Sequence, residues 1–204
     1  MPSLAEIRRA FYGAWRLLVL DAKGLSYFQG DRKGALRSFW VLAIVLPLAI
    51  LAGLIPEPVV ADTPVTPHNA TVDLVGFVLR WLALLLVTFG LVRWYGRKER
   101  FGLFVSAYNW TQILQSLVTI LYLALYSGAS HVIDLNAVET ASAPLALLGS
   151  LVVAAVVGLQ VLMLAYEWFV AWVSLDSGIA LPTIVVLLDL VSDLALAKIS
   201  AALA

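Results

Sequence analysis

Cysteine is absent from this chain of 204 residues, and charged residues are scarce. Without cysteine there is no disulfide, no thiolate nucleophile and no Cys-ligated zinc or iron–sulfur site. Only 13% of the residues are charged, whereas a soluble domain carries about 25%. Hydrophobic residues make up 62% of the chain. We therefore expect lipid, rather than water, to surround most of this protein.

Catalytic and cofactor motifs are missing as well. The sequence contains no phosphate loop, nucleophile elbow, zinc-binding helix or Gly-rich dinucleotide turn. Its two histidines, His68 and His131, stand far apart and lack the spacing of metal ligands. These absences predict a protein that is not an enzyme and that holds no metal and no cofactor.

Five apolar segments are each long enough to cross a bilayer as a helix, which takes about 17–25 residues. They cover residues 38–55, 72–92, 103–126, 145–173 and 179–203. The runs are continuously apolar and do not alternate as the strands of a membrane barrel do. The sequence predicts an all-α membrane protein, with a five-span helical bundle at 38–204 and a cytoplasmic amphipathic segment at 1–37.

Basic residues are segregated along the chain, and their positions predict the orientation. The segment before the first span holds seven of them and the loop after the second span holds four: Arg8, Arg9, Arg16, Lys23, Arg32, Lys33 and Arg37, then Arg93, Arg97, Lys98 and Arg100. The loops at 56–71 and 127–144 contain neither Lys nor Arg. Because Lys and Arg favour the cytoplasmic side, we expect the N-terminus inside and, after five spans, the C-terminus outside.

The N-terminal segment has the pattern of a helix that lies along a membrane surface. Ser3 and Glu6 have capping-box spacing, so a helix begins there, and Gly24 is placed to end it. Apolar residues share one helical face: Leu4, Ile7, Phe11, Ala14, Trp15 and Leu18. Arg9 and Arg16 lie opposite, which favours anionic lipid. A docking helix for a soluble partner is the alternative. The expected lipid-facing or partner-facing basic residues are Arg8, Arg9, Arg16, Arg97, Lys98 and Arg100.

Four ionisable residues fall inside the predicted spans, where such residues are candidates for function. They are Arg80, Glu167, Asp189 and Asp193. At a rise of about 1.5 Å per residue, Arg80 and Asp193 lie at matching depths. We therefore predict an Arg80–Asp193 ion pair with Asp189 as a second acceptor. The aspartates share a stripe with small residues, which indicates close contact with another helix. Ser150, Ala154 and Gly158 form a similar stripe for that contact.

Amide side chains form a second polar set. The same depth argument places Gln112 near Gln160 at the middle of the membrane and Asn109 near Glu167 toward the cytoplasm. Hydrogen bonds between such groups fix the register of neighbouring helices. Alternatively, they line a polar path that continues through Asp189 and Asp193 as a proton or solute pathway. Both interpretations remain open at this point.

Two segments resemble the Yip-type family of small five-span membrane proteins, in particular its bacterial branch. The third span opens with FGLFVSAYN at 101–109, and SLDSGIALP at 174–182 joins the last two spans. The family often has Pro after the Tyr that corresponds to Tyr108, whereas Asn109 follows here. The resemblance implies a bundle of tightly packed spans in the bacterial inner membrane. Eukaryotic members are implicated in vesicle trafficking and in contacts with small GTPases, but no binding residue carries over.

Three functions fit this sequence. The first is a non-enzymatic inner-membrane protein that organises lipid or partner proteins through its basic cytoplasmic face. The second is a proton-coupled or small-solute transporter that uses Asp189 and Asp193. The third is an accessory subunit of a larger membrane complex. The expected partners are anionic lipids and another membrane protein or a second copy of the chain, and not nucleic acid.

Overall fold

Helices account for nearly all of residues 2–55, 70–130 and 143–203, which are the part of the chain that the computed structural model describes. They are α1 (Leu4–Leu18), α2 (Arg32–Ser38), α3 (Leu42–Gly53), α4 (Ala70–Trp94), α5 (Phe101–Ser130), α6 (Ala143–Leu175) and α7 (Ala180–Leu203). Short 3₁₀ segments lie at Ala22–Tyr27, Phe39–Val41 and Lys98–Arg100. No strand occurs in these ranges, which confirms the all-helical prediction for them.

Four segments of the described ranges are long and apolar enough to cross a membrane: Arg32–Gly53, Leu74–Trp94, Lys98–Ala129 and Pro144–Leu175. They coincide with the first four predicted spans. In the first, α2, a 3₁₀ turn and α3 follow one another without a break, and Pro47 lies inside α3. The predicted fifth span corresponds to α7, a helix of 24 residues that carries two aspartates and is not among those four.

The first helix begins where the sequence predicts but ends earlier. The Ser3 hydroxyl accepts a hydrogen bond from the Glu6 N–H, and the Glu6 carboxylate accepts one from the Ser3 N–H. The last helical residue is Leu18, and Leu20 then turns the chain in a left-handed conformation with φ of 58°. Gly24 therefore does not end α1, contrary to the prediction, and lies in the following 3₁₀ segment.

One face of α1 is docked on the rest of the protein. Its buried residues are Ala10, Gly13, Ala14 and Leu17. Gly13 and Gly24 approach so closely that a Cβ on Gly24 would lie 2.6 Å from the Gly13 carbonyl oxygen, a distance that only glycine tolerates. The buried Tyr166 hydroxyl of α6 donates to the Ala14 carbonyl at 2.9 Å. The N-terminal helix is thus tied to the bundle by protein contacts.

The described core is concentrated at the end of the bundle where α1 docks. Helix α5 packs against α1, α2, α3 and α6, and every residue from 104 to 114 is buried. We call residues 2–38, 97–114 and 166–178 the packed end. We call residues 117–129, 144–165 and 187–196 the open end, where most described residues are half-buried or exposed.

Candidate functional site: an ionic cluster between four helices

An arginine and two aspartates meet between α4 and α7. The Arg80 Nη1 donates to Asp189 Oδ1 at 2.6 Å. The Arg80 Nε lies 3.1 Å from Asp193 Oδ1, which makes an ion pair without the angle of a hydrogen bond. The structure thus brings together the three predicted residues. It exchanges their expected roles, because Asp189 is the hydrogen-bonded partner and Asp193 is more exposed, at 56% against 14%.

Small and aromatic residues of α4 position this arginine. A Cβ on Gly76 would lie 2.3 Å from Leu196 Cδ1, so glycine at this position allows α7 to approach α4. The Arg80 guanidinium also lies over the Phe77 ring, at 5.9 Å from its centroid, within the range of a cation–π contact. The guanidinium is therefore held between an aromatic face and two carboxylates.

Glu167 joins this cluster from α6 rather than pairing with Asn109 as predicted. It is 5% exposed and interacts electrostatically with Asp189, Arg80 and Asp193. Asn109 lies elsewhere in the core: its Nδ2 donates to Ser38 Oγ at 2.8 Å, and its Oδ1 accepts from Trp81 Nε1 at 3.2 Å. The Asn109 amide thus connects α5 with α2 and α4. The depth of each residue along its span placed Asn109 and Glu167 at one level. Depth does not determine whether the two side chains lie on helix faces that meet.

The other predicted amide pair does not form. Gln112 of α5 is buried, whereas Gln160 of α6 is exposed. The small-residue stripe of α6 is exposed too, at Ser150, Ala154 and Gly158, and a Cβ on Gly158 would meet no neighbouring atom within 4 Å. The predicted contact of this stripe with the small-residue face of α7 is therefore not made at Gly158. The amides do not line up as one polar path toward Asp189.

Several predicted surface arginines have partners within the protein. Arg16 forms an ion pair with Asp21 and also donates to the Tyr27 hydroxyl. The hydrogen bond from Arg16 holds the pKa of the Asp21 carboxyl below its ordinary value. The helical pattern predicted that Arg16 would face outward. In the structure its guanidinium is instead engaged by Asp21 and Tyr27.

The loop between α4 and α5 is joined to the turn between α6 and α7 by one acid. Asp176 accepts from Arg100 Nη2 at 2.8 Å and lies 3.8 Å from Arg97 Nη1. The hydrogen bond from Arg100 is the main cause that lowers the pKa of Asp176. Among the six basic residues predicted to face lipid or a partner, Arg8, Arg9 and Lys98 are exposed and make no ion pair with another described residue.

Some structural residues of the site were missed by sequence reasoning. Asp176 could have been found, because its turn lies at the same predicted membrane side as the basic loop after the second span. Sequence reasoning could not have found Trp81, Tyr108 and Tyr166, because nothing in the sequence distinguishes them from the other aromatic residues of a span. Tyr108 of α5 interacts electrostatically with the ionic cluster and stacks on Phe104, with ring centroids 5.4 Å apart.

No group of three or more His, Cys, Asp or Glu side chains that could hold a metal ion occurs in the described residues. His68 and His131 lie outside that part of the chain. Comparisons with protein-family models, with curated proteins and with solved structures found no match to this chain. The Yip-type resemblance accordingly stays a prediction.

Proposed function

We propose that this chain is a non-enzymatic, multi-pass inner-membrane protein that organises lipid through its basic N-terminal face, with an anionic phospholipid as the direct ligand. In this proposal α7 is the fifth span and the packed end faces the cytoplasm. The observation that carries the proposal is a cleft of about 760 Å³ between α1 and the helices α3 and α5. The cleft has apolar walls and two arginines: Ile7, Phe11, Ile44 and Ile113, with Arg8 and Arg9.

The shape and chemistry of this cleft suit a phospholipid. Its walls come from α1 on one side and, through Ile44 and Ile113, from two of the membrane-length segments on the other. An acyl chain can therefore enter beside α3 while the phosphate stays near α1. Arg8 and Arg9 are exposed at the same cleft, and arginine binds phosphate through paired N–H donors. Exposed apolar residues continue along α1 at Leu4 and Trp15, as in a helix that rests in the headgroup region.

The distribution of basic residues supports the proposed sidedness. Helix α1 docks on α5 and α6 near the start of α5 and the end of α6. Arg97, Lys98 and Arg100 directly precede α5, so they belong to the same end of the bundle as Arg8 and Arg9. A bundle that gathers its basic residues at one end agrees with the tendency of Lys and Arg to stay on the cytoplasmic side.

A thermal-shift experiment with added lipid tests the proposal. The full-length protein in a neutral detergent should gain Tm with phosphatidylglycerol and gain little with phosphatidylcholine. The double variant Arg8→Ala/Arg9→Ala should lose this difference, because the phosphate loses its donors.

The matched control is Arg32→Ala/Lys33→Ala, which removes the same charge from two exposed residues of α2 that do not line the cleft. It should keep the gain in Tm with phosphatidylglycerol. An equal loss in both double variants would mean that net charge alone attracts the lipid, and a wild type that responds equally to both lipids would exclude the cleft as the site.

A second candidate function is a proton-coupled or small-solute transporter, and the ionic cluster at Arg80, Asp189 and Asp193 favours it. Against it, Arg80 already neutralises one aspartate, and the amides form no continuous path. Flux in reconstituted vesicles separates the two functions, because lipid organisation needs no flux. The third candidate, an accessory subunit, is supported by the exposed small-residue stripe of α6 and predicts a co-purifying membrane protein.

A further inference from the structure

Glu167 adds a third, buried carboxyl group to the ionic cluster from α6. It is 5% exposed and lies eight residues before the end of the segment Pro144–Leu175, which corresponds to about 12 Å along the helix. No described group donates a hydrogen bond to its Oε1. At that oxygen an ionised carboxylate would lack both water and a donor, which is costly in a bilayer.

If every group were ionised, the ionic cluster would carry more negative than positive charge. The cluster contains three carboxyl groups, those of Glu167, Asp189 and Asp193, against the single guanidinium of Arg80. Arg80 is engaged by both aspartates. Fully ionised, the cluster would hold two uncompensated negative charges between helices.

A proton on Glu167 would remove part of that charge. Arg80 is already engaged by both aspartates, and Glu167 interacts with these three groups electrostatically. A neutral carboxyl avoids the cost of burying an unpaired charge. We propose that Glu167 keeps its proton at neutral pH and forms a proton-binding site inside the membrane.

The surroundings of Glu167 suit a single bound proton. Four groups of the cluster interact with it electrostatically: Arg80 of α4, Tyr108 of α5, and Asp189 and Asp193 of α7. Tyr122 of α5 interacts with Asp193 at the margin. With one proton bound, the remaining charge is Arg80 against two carboxylates, of which Asp193 is partly exposed to solvent or headgroups. The described carboxyl groups do not form a metal-binding cluster, so a proton is the cation that fits.

Infrared spectroscopy on the full-length protein in lipid nanodiscs tests this site, because a protonated carboxyl has its own carbonyl band. Free Glu loses its proton at about pH 4.3, so wild-type protein at neutral pH should show a band that ordinary carboxyls do not give. Glu167→Gln should abolish the band, because it removes the carboxyl that holds the proton. Asp176→Asn, which removes a carboxyl outside the cluster, should leave the band unchanged.

Two further arms keep the test decisive. If Glu167→Gln does not fold, Glu167→Asp should shift the frequency of the band, because the shorter side chain alters its hydrogen bond. A band that persists in Glu167→Gln, that is unshifted in Glu167→Asp, or that disappears with Asp176→Asn overturns the proposal. A band lost on adding sodium at constant pH would place a metal cation in the site and overturn it too. The readout is proton occupancy, so neither lipid binding nor flux affects its outcome.

Discussion

The packed end and the open end of this bundle use polar residues in opposite ways. At the packed end, Asn109 is buried and joins three helices through Ser38 and Trp81. At the open end, Gln160 is exposed on α6, and the neighbouring small residues have no described helix against them. The same kind of side chain therefore fixes helix register in one region and remains available to lipid or another protein in the other.

The difference follows from the short N-terminal helices. Helices α1 and α2 cover one end of α5, so its residues 104–114 are enclosed by protein on all sides. No such short helix covers the described residues of the open end. In a lipid bilayer, exposed apolar helices of this kind have no hydrophobic reason to pack more tightly, because lipid tails are as apolar as leucine. The ionic cluster of Arg80, Asp189 and Glu167 lies between the packed end and the open end.

The largest contrast between the two ends is expected from their amides. Asn109→Ala should lower the free energy of unfolding by about 2–4 kcal/mol, because Ser38 and Trp81 each lose a buried partner and an unsatisfied group costs about 1–3 kcal/mol. Gln160→Ala is the matched control and should change it by less than about 0.5 kcal/mol. Denaturant titration in mixed micelles measures both. Equal effects would mean that Gln160 is buried in an assembly.

Glycine substitutions probe the packing of the two ends. A Cβ on Gly102 would lie 2.4 Å from the Gly30 carbonyl oxygen, so Gly102→Ala must displace backbone and should cost about 1–3 kcal/mol, as overpacking does. Gly158→Ala meets no neighbouring atom within 4 Å and gains helix propensity of about 0.8–1 kcal/mol. The first variant should lower Tm and the second should not. A loss of stability in Gly158→Ala would reveal a partner packed on α6.

The smallest effect is expected at Asp176, whose charge joins two exposed turns of the packed end. Its pKa is lowered in the folded state by Arg100, so the stabilisation is present above the unfolded pKa of about 3.9 and is lost as the pH falls through the folded value. Asp176→Asn should therefore lower Tm slightly at neutral pH, and the difference from wild type should vanish in acid.

Asparagine tolerates the positive φ of residue 176, which is 49°, so the variant isolates the charge from the backbone. Glu99→Gln, an exposed acid of the neighbouring loop, serves as the control and should give no such pH dependence. A constant difference in Tm at every pH would show that the Asp176 effect is not ionic.

Sequence reasoning succeeded where one physical quantity dominates. Long apolar runs predicted the helices, because a backbone in lipid must satisfy its own hydrogen bonds, and their bounds agree within a few residues at most ends. Matching depths brought Arg80 to the right level beside Asp189 and Asp193. The same method failed for Asn109 and Gln160, because depth says nothing about which face of a helix meets which neighbour.

The chain composition and the order of its apolar segments were enough to predict an all-helical protein with helices long and apolar enough to cross a membrane, since the cost of polar groups in lipid acts on each segment alone. Other features were decided only by the packing of helices that are distant in sequence. They are the partners of Asn109, the pairing of Arg97 and Arg100 with Asp176, and the interaction of Glu167 with Asp189. Those contacts depend on the rotation of each helix about its axis, and that rotation is set by how all the neighbouring side chains fit together.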